Sequence, residues 1–295
     1  MSRLITKQET IEQSNRAYGR WGELWHENAR RNSAIKQQNP SIASTKKGKK
    51  LILCAFGGSL QENLIDIKNN KLHHEYDIMV VDKALHTVLK HGIVPEFVYV
   101  ADAQISFEKY GEINPSIIPR VNLVSCIVAN YKWSEYWAKN GGKIHYTLNK
   151  DAIRTHHVYG KYIKDQQHYI IPAASNVANS AYVFATLVLG YSEILFAGFD
   201  YSFKLNGAYY GDQDSDGAPR DTNYDLPKKH MYNHITVVDI NNDLVQASNN
   251  MYFSARWLID FVNTLEQEGK NITINITGHG ILRIPNLARL KKGVA

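Results

Sequence analysis

From residue 51 onward, short apolar runs punctuate the chain: 51–56 (LILCAF), 77–81 (DIMVV), 96–101 (EFVYVA), 121–129 (VNLVSCIVA), 193–198 (EILFAG) and 272–277 (ITINIT). Several are apolar without a break, the pattern of parallel strands covered on both faces. The intervening stretches 83–91, 176–189 and 251–268 read as helices. Strand and helix in alternation predict an α/β fold with a doubly wound, mostly parallel sheet. Upstream, Ile11, Tyr18, Trp21, Leu24 and Trp25 fall at helical spacings and predict a helix over 9–31. The polar stretch 32–50, closing on Lys46, Lys47, Lys49 and Lys50, reads as a linker. The organisation expected is a helix and basic linker over 1–50, a main domain over 51–285 with a lid at about 201–250, and a basic tail over 286–295.

The chain has 295 residues, 44% of them hydrophobic, enough to bury a large core. It contains no apolar run of the roughly 18 residues a membrane span needs. The first residues lack the apolar segment of a signal peptide, so a cytoplasmic protein is expected. Cys54 and Cys126 sit inside apolar runs and read as buried thiols in a reducing compartment. The net charge of +6 is uneven: residues 1–50 carry +7 and residues 283–295 carry +4, which leaves the middle acidic. The basic ends suit solubility, or contact with a membrane face or an acidic protein. Nucleic acid is not expected, because no basic stripe with interleaved aromatics accompanies a binding motif. The sequence is silent on oligomeric state, and a homo-oligomer stays open.

Ligands of such sheets bind at the carboxyl ends of strands. The first loop there is Gly57-Gly58-Ser59-Leu60, where glycines permit close approach of a phosphate and a helix start supplies N–H donors. The alternative is a plain strand-to-helix turn, with Ser59 capping the helix. Asp82 ends the second strand, and Asp102 follows the third with Gln104 two residues on. Each acid suits a sugar or ribose hydroxyl, or a capping role; two acids on the edge of the glycine loop favour a site. Ser175 and Asn176 open a long helix, and Asp200 follows another strand. The stretch beyond Asp200 is polar and tyrosine-rich, as in a lid. Asp212, Asp214, Asp216 and Gly217 imitate a calcium loop, but Asn223 replaces the acid required at its twelfth position. His230 and His234 are four apart and read as surface residues or as a general base. His279 is a further candidate near the cleft. No metal site is expected: the histidines lack ligand spacing.

Together these motifs resemble the motility accessory factor family, a domain shared with 6-hydroxymethylpterin pyrophosphokinase MptE-like proteins. The resemblance rests on Phe56–Leu60, Asp82–Leu85, His91–Phe97, Ala101–Gln104, Ser175–Val177 and Asn275–Gly280. The stretch from Leu189 to Tyr201 is similar to the bacterial CMP-sialic-acid-dependent sialyltransferases. The resemblance covers about residues 20–285. It implies a Rossmann-like transferase that takes a nonulosonic (sialic-acid-like) sugar from a CMP-activated donor to a hydroxyl on a protein, glycan or lipid, with no further cofactor. It implies that Gly57–Leu60, Ser175 and Asn176 hold the nucleotide, that Tyr210 assists the departing phosphate, and that a histidine takes the acceptor proton. Two departures stand out. Gly58 replaces a preferred proline, and the sialyltransferase histidine aligns near 247–249, where this chain has none. The alternatives are a pterin-type pyrophosphokinase and a non-catalytic nucleotide-sugar-binding protein.

Overall fold

The computed structural model describes residues 7–35, 39–149, 168–172, 174–202, 234–276 and 279–285, with the backbone alone at 7–18, 20 and 234. Two compact units divide the chain, one drawn from Met1–Gly48 and Asp77–Tyr191, the other from Lys49–Tyr76 and Ser192–Ala295.

The first unit opens with a long helix, α1 (Lys7–Ala34). In the second unit, β1 (Lys50–Cys54) leads through the glycine loop into α2 (Leu60–Asn69). The first unit resumes with β2 (Asp77–Val81), α3 (Leu85–Lys90), β3 (Phe97–Val100) and α4 (Phe107–Tyr110). It continues through β4 (Asn122–Cys126), α5 (Tyr131–Lys139), β5 (Ile144–Asn149), β6 (His168–Ile171) and α6 (Val177–Val183). Strands β2 to β6 pair in chain order, all parallel. Both faces of β3 are buried along its whole length, as the unbroken apolar run requires. Beneath α5, Trp133 and Trp137 stack at 5.9 Å and are fully buried. After α6 the chain winds through a wider turn over Phe184–Leu189, and Gly190, at φ +83°, ends it.

The polar stretch read as a linker is anchored in this unit. Ser44 and Lys46 donate their amides to the carbonyls of Val188 and Leu189, at 2.7 and 3.0 Å. The Lys46 ammonium lies 3.0 Å from Asp77 and also bonds Glu96.

In the second unit, β1 and β10 (Ile272–Asn275) flank β7 (Glu193–Ala197), again all parallel. Strands β8 (His234–Val238) and β9 (Leu244–Ser248) form an antiparallel pair within the region expected to be a lid, and α7 (Asn249–Gln267) follows. Most of that region, 203–233, lies outside the described residues. The fold is thus α/β with mostly parallel strands flanked by helices. The sequence pattern located six of these parallel strands. It missed β5 and β6, whose polar members (His145, Thr147, His168) break the apolar run.

Neither cysteine is in a disulfide; Cys54 is buried, and burial pushes its thiol up to about 12. Among the described residues, no helix is long and apolar enough to cross a membrane.

Candidate functional site

The residues singled out from sequence fall into two groups, each assembled inside one unit. In the second unit the glycine loop closes on Asp200. The Ser59 amide donates to Asp200 Oδ2 at 2.9 Å, and the Ser59 hydroxyl to Oδ1 at 2.5 Å. Ser59 therefore makes no capping bond to α2; its hydroxyl is turned to the carboxylate. Gly57 donates its amide to the Gly198 carbonyl at 2.9 Å. Its lack of a side chain is a steric need: a Cβ there would sit 2.4 Å from that carbonyl oxygen and 2.5 Å from Asp200 Oδ2. Leu60 is buried as the first residue of α2.

Asp200 also reaches the loop after β10. Its carbonyl accepts from the Ile281 amide at 2.9 Å. At Gly280, φ is +92° and a Cβ would lie 2.4 Å from the same oxygen. The helix start that attracts anions is therefore served by the protein's own carboxylate. Burial pushes Asp200 up to about 6, against the pull of the Ser59 hydroxyl and amide and of His279. His279 itself is exposed, 3.8 Å from Glu62.

In the first unit, Asp82 and Asp102 follow neighbouring strands, β2 and β3. Asp82 is only 3% exposed and accepts the Lys83 amide at 2.7 Å. Burial pushes its carboxyl up to about 7; the Lys83 amide and ammonium oppose the shift, and the charge of Asp102 adds to it. Asp102 is exposed and accepts the Gln104 amide at 2.9 Å, with Gln104 also exposed. One acid is thus hidden with its carboxyl raised by burial, while its neighbour faces water.

Ser175 and Asn176 start α6 in the same unit. Asn176 Oδ1 accepts from the Asn179 amide at 2.8 Å, an N-cap. Ser175 is exposed, and its hydroxyl oxygen accepts from Asn179 Nδ2 at 2.9 Å.

The candidate chemistry of the lid is mostly out of view. Tyr210 and His230 lie outside the described residues, as do Asp212, Asp214 and Asp216. His234 begins β8, registered opposite Ser248 of β9. Among the described residues, no three His, Cys, Asp or Glu side chains gather as a metal site would require.

Sequence reading passed over Asn28 and Asn32 of α1. Both are buried, and their side-chain amides bond the carbonyls of Ala103, Val128, Ile127 and Ala129. The available signal was two amides, four residues apart, on a helix otherwise rich in charge.

The model of the family described as 6-hydroxymethylpterin diphosphokinase MptE-like matches residues 25–206. Among solved structures, the chain is similar to a MAf glycosyltransferase from Magnetospirillum magneticum AMB-1, at a TM-score of 0.60 and 14% identity. The match covers 97% of this chain and 43% of that one, so this chain spans less than half of that protein. None of the curated proteins matches by sequence.

Proposed function

Because the chain belongs to the 6-hydroxymethylpterin diphosphokinase MptE-like family, we propose that it binds a nucleotide-linked substrate and works as a glycosyltransferase. The reaction moves a nonulosonic sugar from a CMP-activated donor to a hydroxyl acceptor on a protein, glycan or lipid. One observation carries this reading: the likeness to the MAf glycosyltransferase fold runs over 97% of the chain, whereas the diphosphokinase match ends at residue 206.

In the transfer, an acceptor oxygen attacks the anomeric carbon as CMP departs. A hydroxyl is a poor nucleophile until a base takes its proton. His234 and His230 are the candidate bases. The register of β8 supports His234: its backbone pairs opposite Ser248, within the stretch where the sialyltransferase histidine aligns. Tyr210 is the candidate donor to the departing phosphate. Asp102 and Gln104 present exposed polar groups suited to ribose or sugar hydroxyls, and Ser175 offers another in the same unit. Asp82 is buried beside Asp102, and the charge of each bears on the other. The glycine loop of the other unit is engaged by its own partners: Gly57 donates its amide to the Gly198 carbonyl, and Ser59 bonds Asp200.

The family's own description supports a second reading, transfer of pyrophosphate to a pterin. That chemistry is associated with T-D-L-D-G after the third strand and with His-Ala-His-Gly-Asp. This chain has Val100–Gln104 at the first position and lacks the second segment.

Thermal shift against CMP, CMP-sialic acid, UDP-sugars and ATP separates the readings, because a ligand that binds only the folded state raises its stability by mass action. A CMP-selective shift with donor hydrolysis or sugar transfer supports the glycosyltransferase. An ATP-selective shift points to the pyrophosphokinase. A CMP shift with neither activity makes the protein a non-catalytic nucleotide-sugar binder.

A further inference from the structure

We propose that Asn28 and Asn32 of α1 are positioning residues that set the loop carrying Asp102. The inference rests on the reading of Asp102 as a donor contact. The two asparagines lie four residues apart, on one face of the helix, and are 1% and 0% exposed. Asn28 Nδ2 spans the carbonyls of Ala103, at 3.2 Å, and Val128, at 3.0 Å. Asn32 Nδ2 spans those of Ile127, at 2.8 Å, and Ala129, at 2.9 Å. These four carbonyls belong to the turns after β3 and β4, where the chain leaves the ladder. A buried carbonyl there needs another donor, and α1 supplies it. Asn130 completes the arrangement: its amide donates to the Asp102 carbonyl at 3.2 Å, and its Nδ2 to that of Ile105 at 2.9 Å. Residues 102, 103 and 105 are thus each held by an asparagine donor, two from the β4–α5 turn and one from α1.

What α1 fixes is the peptide next to Asp102, through the Ala103 carbonyl. Loss of the Asn28 amide frees the Ala103 carbonyl to turn, and the carboxyl one residue away moves with it. The N-terminal helix therefore belongs to the site's scaffold. Residues about 75 and 100 positions apart in sequence are joined through Asn28.

A double-mutant cycle tests this, with CMP-sialic acid binding measured by calorimetry at a temperature where every variant is folded. Asn28→Ala is expected to weaken binding about fivefold, the scale of one or two neutral hydrogen bonds, and to have no effect once Asp102→Ala is present. Asn28→Ser, which keeps one donor, is expected to fall between and serves if the alanine variant does not fold. Lys46→Met, at the opposite end of β2 and β3, is the matched control: it lowers stability and leaves affinity intact. If Asp102→Ala weakens binding while the Asn28 variants do not, or if their effect persists undiminished in the Asp102→Ala background, the positioning role is overturned and the donor-contact reading survives. If Asp102→Ala itself binds normally, the donor-contact reading falls, and the positioning role with it.

Discussion

Strand β2 begins at Asp77 and is followed directly by Asp82, and the protein treats the two aspartates in opposite ways. At the amino end, Asp77 is half-buried. Burial alone would raise its carboxyl, but bonds with Glu96, Tyr191 and Lys46 outweigh that and hold it below the usual carboxylate range. Tyr191 donates its hydroxyl to Asp77 Oδ2 at 2.8 Å, and the Lys46 ammonium lies 3.0 Å from the same oxygen. At the carboxyl end, Asp82 is buried more deeply, and the bond described for it is one backbone amide. Burial prevails there, and the carboxyl is pushed up to about 7. Where stability alone is at stake, the acid is paired. At the carboxyl end, beside the proposed donor contact Asp102, burial leaves the acid with a raised carboxyl, a pattern that perturbed functional groups often share.

Four experiments break or sharpen that contrast. The largest effect is expected from Lys46→Met, which strands Asp77 and Glu96 without their shared ammonium. Loss of one partner of this half-buried ion pair costs about 2 kcal/mol, between the exposed and the fully buried cases, read as a lower urea midpoint at unchanged slope, with CMP-sialic acid affinity intact. A loss of affinity would show that the amino end also serves binding. Next, Asp102→Ala is expected to weaken CMP-sialic acid binding about tenfold, or ~1.4 kcal/mol, and to leave the melting temperature within about 2 °C. A stability loss without an affinity loss would make Asp102 a structural cap.

The remaining two experiments have opposite signs. Asp77 has a depressed carboxyl, so its stabilisation is present above the unfolded value and is lost as pH falls through the folded one. Asp77→Asn should cost about 1 kcal/mol at pH 7, with the deficit shrinking below about pH 4. Asp82 is raised, so the folded state keeps a proton that the unfolded chain has released. Between about pH 4 and pH 7 this carboxyl makes stability fall as pH rises, and above that its contribution is flat. Asp82→Asn should remove that slope, melting a few degrees above the parent at pH 8 and level with it near pH 4. Parallel pH profiles for parent and Asp82→Asn would refute the raised carboxyl.

Much of the scaffold was legible because its signal is local. Apolar runs located β1, β2, β3, β4, β7 and β10; the runs of β1, β2, β3 and β7 are unbroken at their centres, while Asn122 and Ser125 interrupt that of β4 and Thr273 and Asn275 that of β10. Strands β5 and β6 were not located this way, since His145 and His168 interrupt them while tertiary burial still makes them strands. The strand-end residues were legible as positions, and their partners were not. Nothing near Ser59 announces Asp200, 141 residues away, which takes both its amide and its hydroxyl. The polar 32–50 stretch reads as a linker until Lys46 is seen clamping Asp77 and Glu96.

By itself, then, the amino-acid order determined the parallel α/β class and set glycines and acids just past the strands, because strand pairing and turns follow from neighbours in the chain. Tertiary structure alone decided which acids are neutralised, which hold a proton, and which helix orders the Asp102 loop. Those properties depend on burial and on hydrogen-bond donors brought from far along the chain, and sequence spacing does not encode such distances.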